Sequence, residues 1–216
     1  MESSRQRILN LLQERGQATV DGLAAAMVLA PATIRRHLDI LQRDNLVAFT
    51  QVKKKTGRPE HAYFLTETGQ ETLPKRYSRL LERLVEGLSA MSSQDVKNKS
   101  GVDVLKLLIE RTGVQAAPGM SHDSSLPLTQ RVEQAMDVLR DEQFHPEFAE
   151  VPGGVRVVFH NCPFRSVALK NSSVCDFDYA LLSTLLGPDI VKELSLADGS
   201  HSCCYLVRES PQQVAN

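Results

Sequence analysis

The sequence predicts an α+β protein in three regions, and the spacing of apolar residues and turn signals leads to this prediction. Residues 1–72 contain three helix-like stretches followed by two strand-like runs. Residues 73–120 carry apolar residues mostly three and four positions apart, as helices do. Residues 121–216 alternate helix-like stretches with two hairpin signals. We therefore expect a front domain, a helical middle region and an α+β rear domain with antiparallel hairpins.

Three helices are predicted in the front domain. The first covers residues 5–15 and stops at Gly16, and Thr19 is placed to cap the second. The third begins at Pro31, a residue suited to the first helical turn, and it turns one apolar face toward the other two helices. The polar residues on the outer side of this third helix include Thr33, Arg35 and Arg36.

A β-hairpin with a basic tip follows these helices. Residues 46–52 and 61–65 are predicted strands, and the turn between them contains the run KKKTGRP. Three helices followed by such a hairpin are typical of a winged helix-turn-helix, whose third helix enters the major groove of DNA. The predicted DNA contacts are Thr33, Arg35 and Arg36 on the helix and Lys53, Lys54, Lys55 and Arg58 at the hairpin tip.

The charge distribution also favours a polyanion partner for the front part alone. Residues 1–76 carry twelve Lys and Arg against eight Asp and Glu, whereas the rest carries thirteen against eighteen. Either basic cluster by itself would be an ordinary solvated surface, but their joint position favours double-stranded DNA. No window approaches the apolar length of a membrane helix, and the start MESSRQRILN lacks a signal core. We therefore expect a cytoplasmic protein without a membrane partner.

The middle region contains an apolar stripe at helical spacing, formed by Tyr77, Leu80, Leu81, Leu84, Leu88 and Met91. Such a stripe can pack within its own domain or pair with a second copy across a two-fold axis. Because helix-turn-helix proteins commonly bind paired half-sites, we expect a homodimer. Residues 92–101 are predicted to be a loop, and a short helix is predicted over 104–109.

The rear domain holds all four cysteines of the chain. Cys162 follows a predicted strand, and Cys175 precedes a predicted helix whose N-terminus would lower its thiol pKa. Cys203 and Cys204 are neighbours in a predicted strand, so their side chains should point to opposite faces. In the reducing cytosol such thiols bind metals, act in redox chemistry or fill the core, and a single cysteine most often fills the core.

Six stretches of the sequence carry a resemblance to a known family. In the front they are TIRRHLDILQRDNLV at 33–47 and TGRPEHAYFLT at 56–66; in the rear they are NCP at 161–163, VC at 174–175, YALLSTLLG at 179–187 and DGSHSCCYLV at 198–207. Together they resemble the SufR family of iron–sulfur-sensing winged helix-turn-helix repressors, and the related DeoR- and ArsR-like regulators.

This resemblance implies a homodimer that binds a palindromic operator while each rear domain holds a 4Fe–4S cluster. It also implies that loss of the cluster weakens DNA binding, and that typical targets are genes of cluster assembly. By position, Cys162, Cys175 and Cys203 match the thiolate ligands of the family. Cys204 is a substitute for its neighbour or a fourth ligand.

One position departs from the family pattern, because Ile190 stands where some members carry a fourth cysteine. The fourth ligand would then be Cys204, which we favour slightly, or one of His160, His201, Asp176, Asp189 and a small molecule. A zinc- or thiol-redox-dependent regulator is the alternative, since three cysteines and a histidine also suit zinc. No catalytic residue, enzyme activity or small-molecule substrate is expected, because no nucleophile–base pair or phosphate loop is recognisable.

Overall fold

A computed structural model describes residues 3–52, 59–117, 119, 123 and 125–209. The chain forms two compact units, Met1–Pro74 and Lys75–Asn216. In the described part of the chain, no helix combines the length and the apolar character needed to cross a membrane.

The front unit contains the predicted helices and hairpin in the predicted order. Its elements are α1 (Ser4–Arg15), β1 (Ala18–Thr19), α2 (Val20–Met27), α3 (Pro31–Arg43), β2 (Val47–Val52), β3 (Glu60–Leu65) and α4 (Glu67–Glu71). The short β1 was not predicted; it pairs antiparallel with β3, so that the sheet has the order β1-β3-β2.

Capping interactions set the helix boundaries of this unit. The Thr19 hydroxyl accepts a hydrogen bond from the Gly22 N–H at 3.1 Å and begins α2 as predicted. The helix ends at Met27, and the following residue, Val28, takes a left-handed conformation with φ of 53°. Pro31 occupies the first turn of α3. The core beneath these helices is formed by fully buried side chains that include Ile8, Leu12, Leu23, Ile34 and Leu38.

The rear unit combines helices with one antiparallel sheet. Its elements are α5 (Tyr77–Ser89), α6 (Ser93–Val96), α7 (Gly101–Gln115), α8 (Leu128–Asp141), β4 (Pro146–Val151), β5 (Gly154–Phe159), α9 (Arg165–Ala168), α10 (Asp176–Leu186), β6 (Ile190–Leu194) and β7 (Cys203–Arg208). Two single turns of 3-10 helix, Ser172–Cys175 and Leu196–Asp198, precede α10 and β7.

The two predicted hairpins join into one sheet of order β4-β5-β7-β6. The junction is the antiparallel pairing of β5 with β7, in which Phe159 faces Cys203 and Val157 faces Tyr205. These residues are buried and form one face of the sheet, which packs in a core together with α5, α7, α8 and α10.

The stretch 92–109 corrects two predictions. The predicted loop at 92–101 contains α6, and the predicted helix over 104–109 begins at Gly101 and ends only at Gln115. Both helices start with a capping box, formed by Ser92 with Asp95 and by Ser100 with Asp103. The longer α7 then crosses α10 closely, because a Cβ on Gly113 would lie 2.6 Å from the Phe177 carbonyl oxygen.

Candidate functional site

The outer face of α3 is one candidate site. Thr33, Arg35 and Arg36 are exposed there, while the opposite face of the helix is held in the front core. The hairpin-tip residues Lys53, Lys54, Lys55 and Arg58 lie outside the described residues. The structure thus places the three helix residues as predicted, on the surface of α3.

The two arginines of α3 lie in different surroundings. Arg35 lines a cleft beside the start of β3 together with Asp21, Asp39 and Glu60. A cleft with three carboxylates is unfavourable for a phosphate group. Arg36 does not line this cleft. Arg36 and Thr33 are therefore better placed than Arg35 to meet a polyanion.

Three of the four cysteines are brought into a single buried core of the rear unit. Cys162 lies directly after β5, Cys175 ends the 3-10 turn before α10, and Cys203 is the first residue of β7. All three thiols are free and less than a tenth exposed. Three separate elements thus contribute one sulfur each to the same interior.

A buried carboxyl group lies among these thiols. Asp178, in the first turn of α10, is 3% exposed and accepts a hydrogen bond from the Tyr205 hydroxyl at 3.1 Å. Burial raises the pKa of Asp178 to about 7, although the Lys192 ammonium opposes this change. Asp178 is not among the predicted site residues, because its place at the start of a predicted helix suggests only a charge that suits the helix dipole. Its position three residues after Cys175, on the inward face of a largely apolar helix, is the signal that could have found it.

The thiols are held in their neutral form. Burial, and then the Asp178 carboxylate, raises the pKa of Cys175 to about 11 and that of Cys203 to about 12. The same two causes raise the pKa of Cys162. The predicted lowering of the Cys175 pKa is wrong, because burial and Asp178 outweigh the effect of the helix N-terminus. At neutral pH these thiols therefore behave as small apolar groups until a ligand displaces their protons.

Cys204 is not part of this group. As predicted from strand alternation, it lies on the opposite sheet face from Cys203, where it pairs with Val158. Its thiol donates to Glu193 Oε2 at 3.5 Å, and Arg156 Nε donates to the same oxygen at 2.7 Å. The predicted set of four cysteines is thus not brought together, since three face one core and Cys204 faces the other side.

Cys162, Cys175 and Cys203, which we call the three-thiol core, could bind a metal or a metal cluster only through their sulfur atoms. Within the described residues, no group of three or more His, Cys, Asp or Glu side chains is placed to bind a single metal ion. Cysteine sulfurs are nonetheless the donors that iron–sulfur clusters take, and here three of them share one interior. Cys162, Cys175 and Cys203 therefore fit a cluster by donor type. Because all three side chains are less than a tenth exposed, entry of a cluster requires a local rearrangement.

Comparison with known proteins supports the prediction of a helix-turn-helix in the front unit. Residues 2–48 match the family described as bacterial regulatory protein, arsR family. This match covers α1, α2 and α3 and ends at the start of β2. No curated protein matches the chain.

Two solved structures are similar to parts of the chain. A transcriptional regulator homologue protein from Pyrococcus horikoshii OT3 is 25% identical over 39% of this chain and 81% of its own, with a TM-score of 0.28. PadR of Bacillus subtilis, in complex with operator DNA, is 12% identical over 82% of this chain and 86% of its own, with a TM-score of 0.30. Scores this low carry no information about the architecture of the whole chain. Over residues 2–48, the front unit is similar to the helix-turn-helix of arsR family regulators, as the family match shows.

Proposed function

We propose that the chain is a DNA-binding transcriptional regulator whose operator affinity depends on a 4Fe–4S cluster in the rear unit. The observation that carries the DNA-binding part is the arsR-type helix-turn-helix with Thr33 and Arg36 exposed on α3. The N-terminal part of such a helix is the part that reaches base edges in the major groove. Following the SufR resemblance, we propose repression of genes for cluster assembly or related redox and iron functions.

The cluster part rests on the three-thiol core. Cys162, Cys175 and Cys203 come from three different elements, so a group bound by all three would tie these elements together. When bound, the cluster would supply a redox- and iron-sensitive link between these elements. The protein would contribute three thiolates and release their protons on binding. Cys204 has no part in this set because it lies on the other sheet face.

The α5 helix supports a homodimer. Tyr77, Leu80 and Leu84 of the predicted stripe pack into the core of their own unit. Leu81, Val85 and Leu88 instead form an apolar strip on the solvent side of α5, with exposures of 62%, 55% and 57%. We define these three residues as the α5 strip. Their spacing suits pairing with the same strip of a second copy, and a two-fold dimer would match a palindromic operator.

Two measurements on anaerobically purified protein test the proposal. Iron, acid-labile sulfide and zinc are quantified per chain, and the same sample is used to select binding sequences from a random duplex library. We expect iron and sulfide in near-equal amounts, a brown colour and a palindromic consensus. A sample that contains zinc but no iron would contradict the cluster and indicate a zinc-dependent regulator. The absence of any enriched sequence would contradict specific DNA binding.

A further inference from the structure

The first three residues of the rear unit hold the loop that carries Cys162. Lys75 Nζ donates to Asn161 Oδ1 at 3.0 Å, and the Arg76 N–H donates to the Pro163 carbonyl oxygen at 3.0 Å. The Tyr77 hydroxyl oxygen accepts from the Ser166 N–H at 3.0 Å and from the Ser166 hydroxyl at 2.8 Å. We call residues 75–77 the strap and residues 161–166 the Cys162 loop.

The beginning of the Cys162 loop is fixed to the core on its other side. Asn161 is 3% exposed; its side-chain amide donates to the Gln143 carbonyl oxygen at 2.6 Å, and its N–H donates to the Phe144 carbonyl oxygen at 3.0 Å. Cys162 therefore sits between one residue that is anchored to the core and another, Pro163, that is bound by the strap. A displacement of the Cys162 backbone would therefore strain the hydrogen bonds on either side of it.

The helix that begins at the strap also contacts the segment that carries Cys175. Arg83 of α5 makes two hydrogen bonds, of 2.7 and 3.0 Å, to the buried carboxylate of Glu142. Its guanidinium lies 5.7 Å from the ring centre of Phe177, two residues after Cys175. The strap and α5 thus touch two of the three thiol-bearing segments.

The strap connects the end of the front unit to α5. Lys75 follows Pro74, the last residue of the front unit, and Tyr77 is the first residue of α5. The strap is thus covalently continuous with the last residue of the front unit on one side and with α5, which carries the α5 strip, on the other.

We propose that the strap couples the Cys162 loop to DNA binding. Ligand uptake or loss at Cys162 rearranges the loop, and the hydrogen bonds at Asn161, Pro163 and Ser166 transmit this change to the strap. The proposal rests on the proposed function for the identity of the ligand, but the coupling itself is a property of the strap. By linkage, operator DNA must in turn change the affinity of the Cys162 site for its ligand by the same factor, and we expect the strap contacts to respond to DNA.

Tyr77→Phe is the most direct test, because it removes the hydroxyl that binds Ser166 and keeps the ring that packs on the core. Operator affinity is measured for the cluster-loaded and cluster-free forms of wild type and variant. Couplings of this kind are usually on the order of 5- to 150-fold in affinity. In Tyr77→Phe we expect the ratio of the operator affinity of the cluster-loaded form to that of the cluster-free form to fall toward one. Iron and sulfide per chain should be as in wild type.

Tyr179→Phe is the matched control, since Tyr179 is 41% exposed and its hydroxyl donates to the Pro188 carbonyl oxygen at 3.5 Å, away from the strap. It should keep the wild-type ratio. If the strap only anchors α5, Tyr77→Phe would lower thermal stability but leave the ratio unchanged, and that result would overturn the proposal. A wild type without iron, or with equal affinity in both forms, would instead count against the proposed function.

A second experiment, hydrogen exchange on the cluster-free protein, tests the strap coupling independently of the ligand. The Arg76 and Ser166 amides are donors in the strap contacts, so their exchange reports on it directly. We expect operator DNA to change the protection of both amides in wild type and to have little effect on Ser166 in Tyr77→Phe. Unchanged protection in wild type at saturating DNA would overturn the strap coupling, whatever the rear unit binds.

Discussion

Asp178 is the residue with the largest influence on the thiol core. It combines nearly complete burial with a carboxyl group that acts on Cys162, Cys175 and Cys203 at once. Its raised pKa means that the folded protein retains a proton that the unfolded chain has already lost. The carboxyl group is therefore a source of pH-dependent instability in the cluster-free protein.

Substituting Asp178 by Asn should remove this pH dependence. The pKa of this carboxyl group is 3.8 in the unfolded chain and about 7 in the folded protein. The free energy of unfolding of wild type should therefore decrease as the pH rises from 3.8 to about 7. The loss corresponds to roughly 4 kcal/mol at most. Urea unfolding of the cluster-free proteins at pH 4.5, 6 and 7.5 checks this. Parallel pH curves for wild type and Asp178→Asn would show that the buried carboxyl group does not titrate as described.

The adjacent cysteines provide a matched pair of substitutions. Cys203→Ser removes a sulfur from the three-thiol core, whereas Cys204→Ser removes one from the opposite sheet face. We expect the first variant to lose the bound iron and the second to keep the wild-type absorption spectrum and iron content. Loss of iron in Cys204→Ser alone would reverse the assignment of the two faces.

On the front unit, Arg36→Ala should reduce affinity for the selected operator by roughly 1–3 kcal/mol and affinity for random duplex by less. Arg35→Ala is the matched control, and a smaller effect is expected because Arg35 lines a cleft with three carboxylates. Fluorescence anisotropy with both duplexes measures this. Equal losses on operator and random DNA for Arg36→Ala would argue against base readout.

At the scale of elements, α5 has two apolar faces with different roles. One face packs into the rear core through Tyr77, Leu80 and Leu84, and the other is the exposed α5 strip. The sequence pattern predicts one continuous stripe, which includes residues of both faces and does not include Val85. Only the packing of the rear unit separates the two faces.

Val85→Glu and Leu84→Glu distinguish these faces. We expect Val85→Glu to be folded but monomeric, because it places a charge in the proposed dimer strip, and to bind the palindromic operator weakly. Leu84→Glu should instead destabilise the rear unit, since it places a charge against the core. Light scattering and thermal unfolding give both readouts. A dimeric Val85→Glu protein with wild-type operator affinity would exclude the α5 strip as the dimer contact.

The elements also show which parts of the fold were predictable. The three front helices and the hairpin follow from local signals such as the Thr19 cap and Pro31. The capping boxes at Ser92 and Ser100 are also local, so α6 and the start of α7 could have been predicted. The pairing of β5 with β7 could not, because it joins strands far apart in sequence, and this pairing helps to set which of Cys203 and Cys204 faces the core.

At the scale of the whole molecule, the two units divide the proposed function between them. The front unit carries the arsR-type helix-turn-helix, and the rear unit carries the three-thiol core. The sequence predicted which cysteines to consider, but it could not show that burial and Asp178 keep them protonated, since that depends on tertiary packing. The strap contacts were likewise out of reach, because they join residues more than 80 positions apart.

Because ligand binding must displace the protons of these thiols, loading of the cluster should depend on pH. The raised pKa values of Cys175 and Cys203 predict that reconstitution of the cluster-free protein with iron and sulfide is faster at pH 8.5 than at pH 7. Absorption in the visible region follows the reaction. A rate that is independent of pH would mean that thiol deprotonation does not limit loading.

The most direct test of the central claim is the operator affinity of one anaerobic sample before and after its cluster is removed. Iron and sulfide are quantified at each stage, and light scattering verifies that the protein stays dimeric. The proposed function predicts tight binding with the cluster and clearly weaker binding without it, restored when the cluster is rebuilt. Equal affinity in the two forms would contradict cluster-dependent DNA binding by this protein.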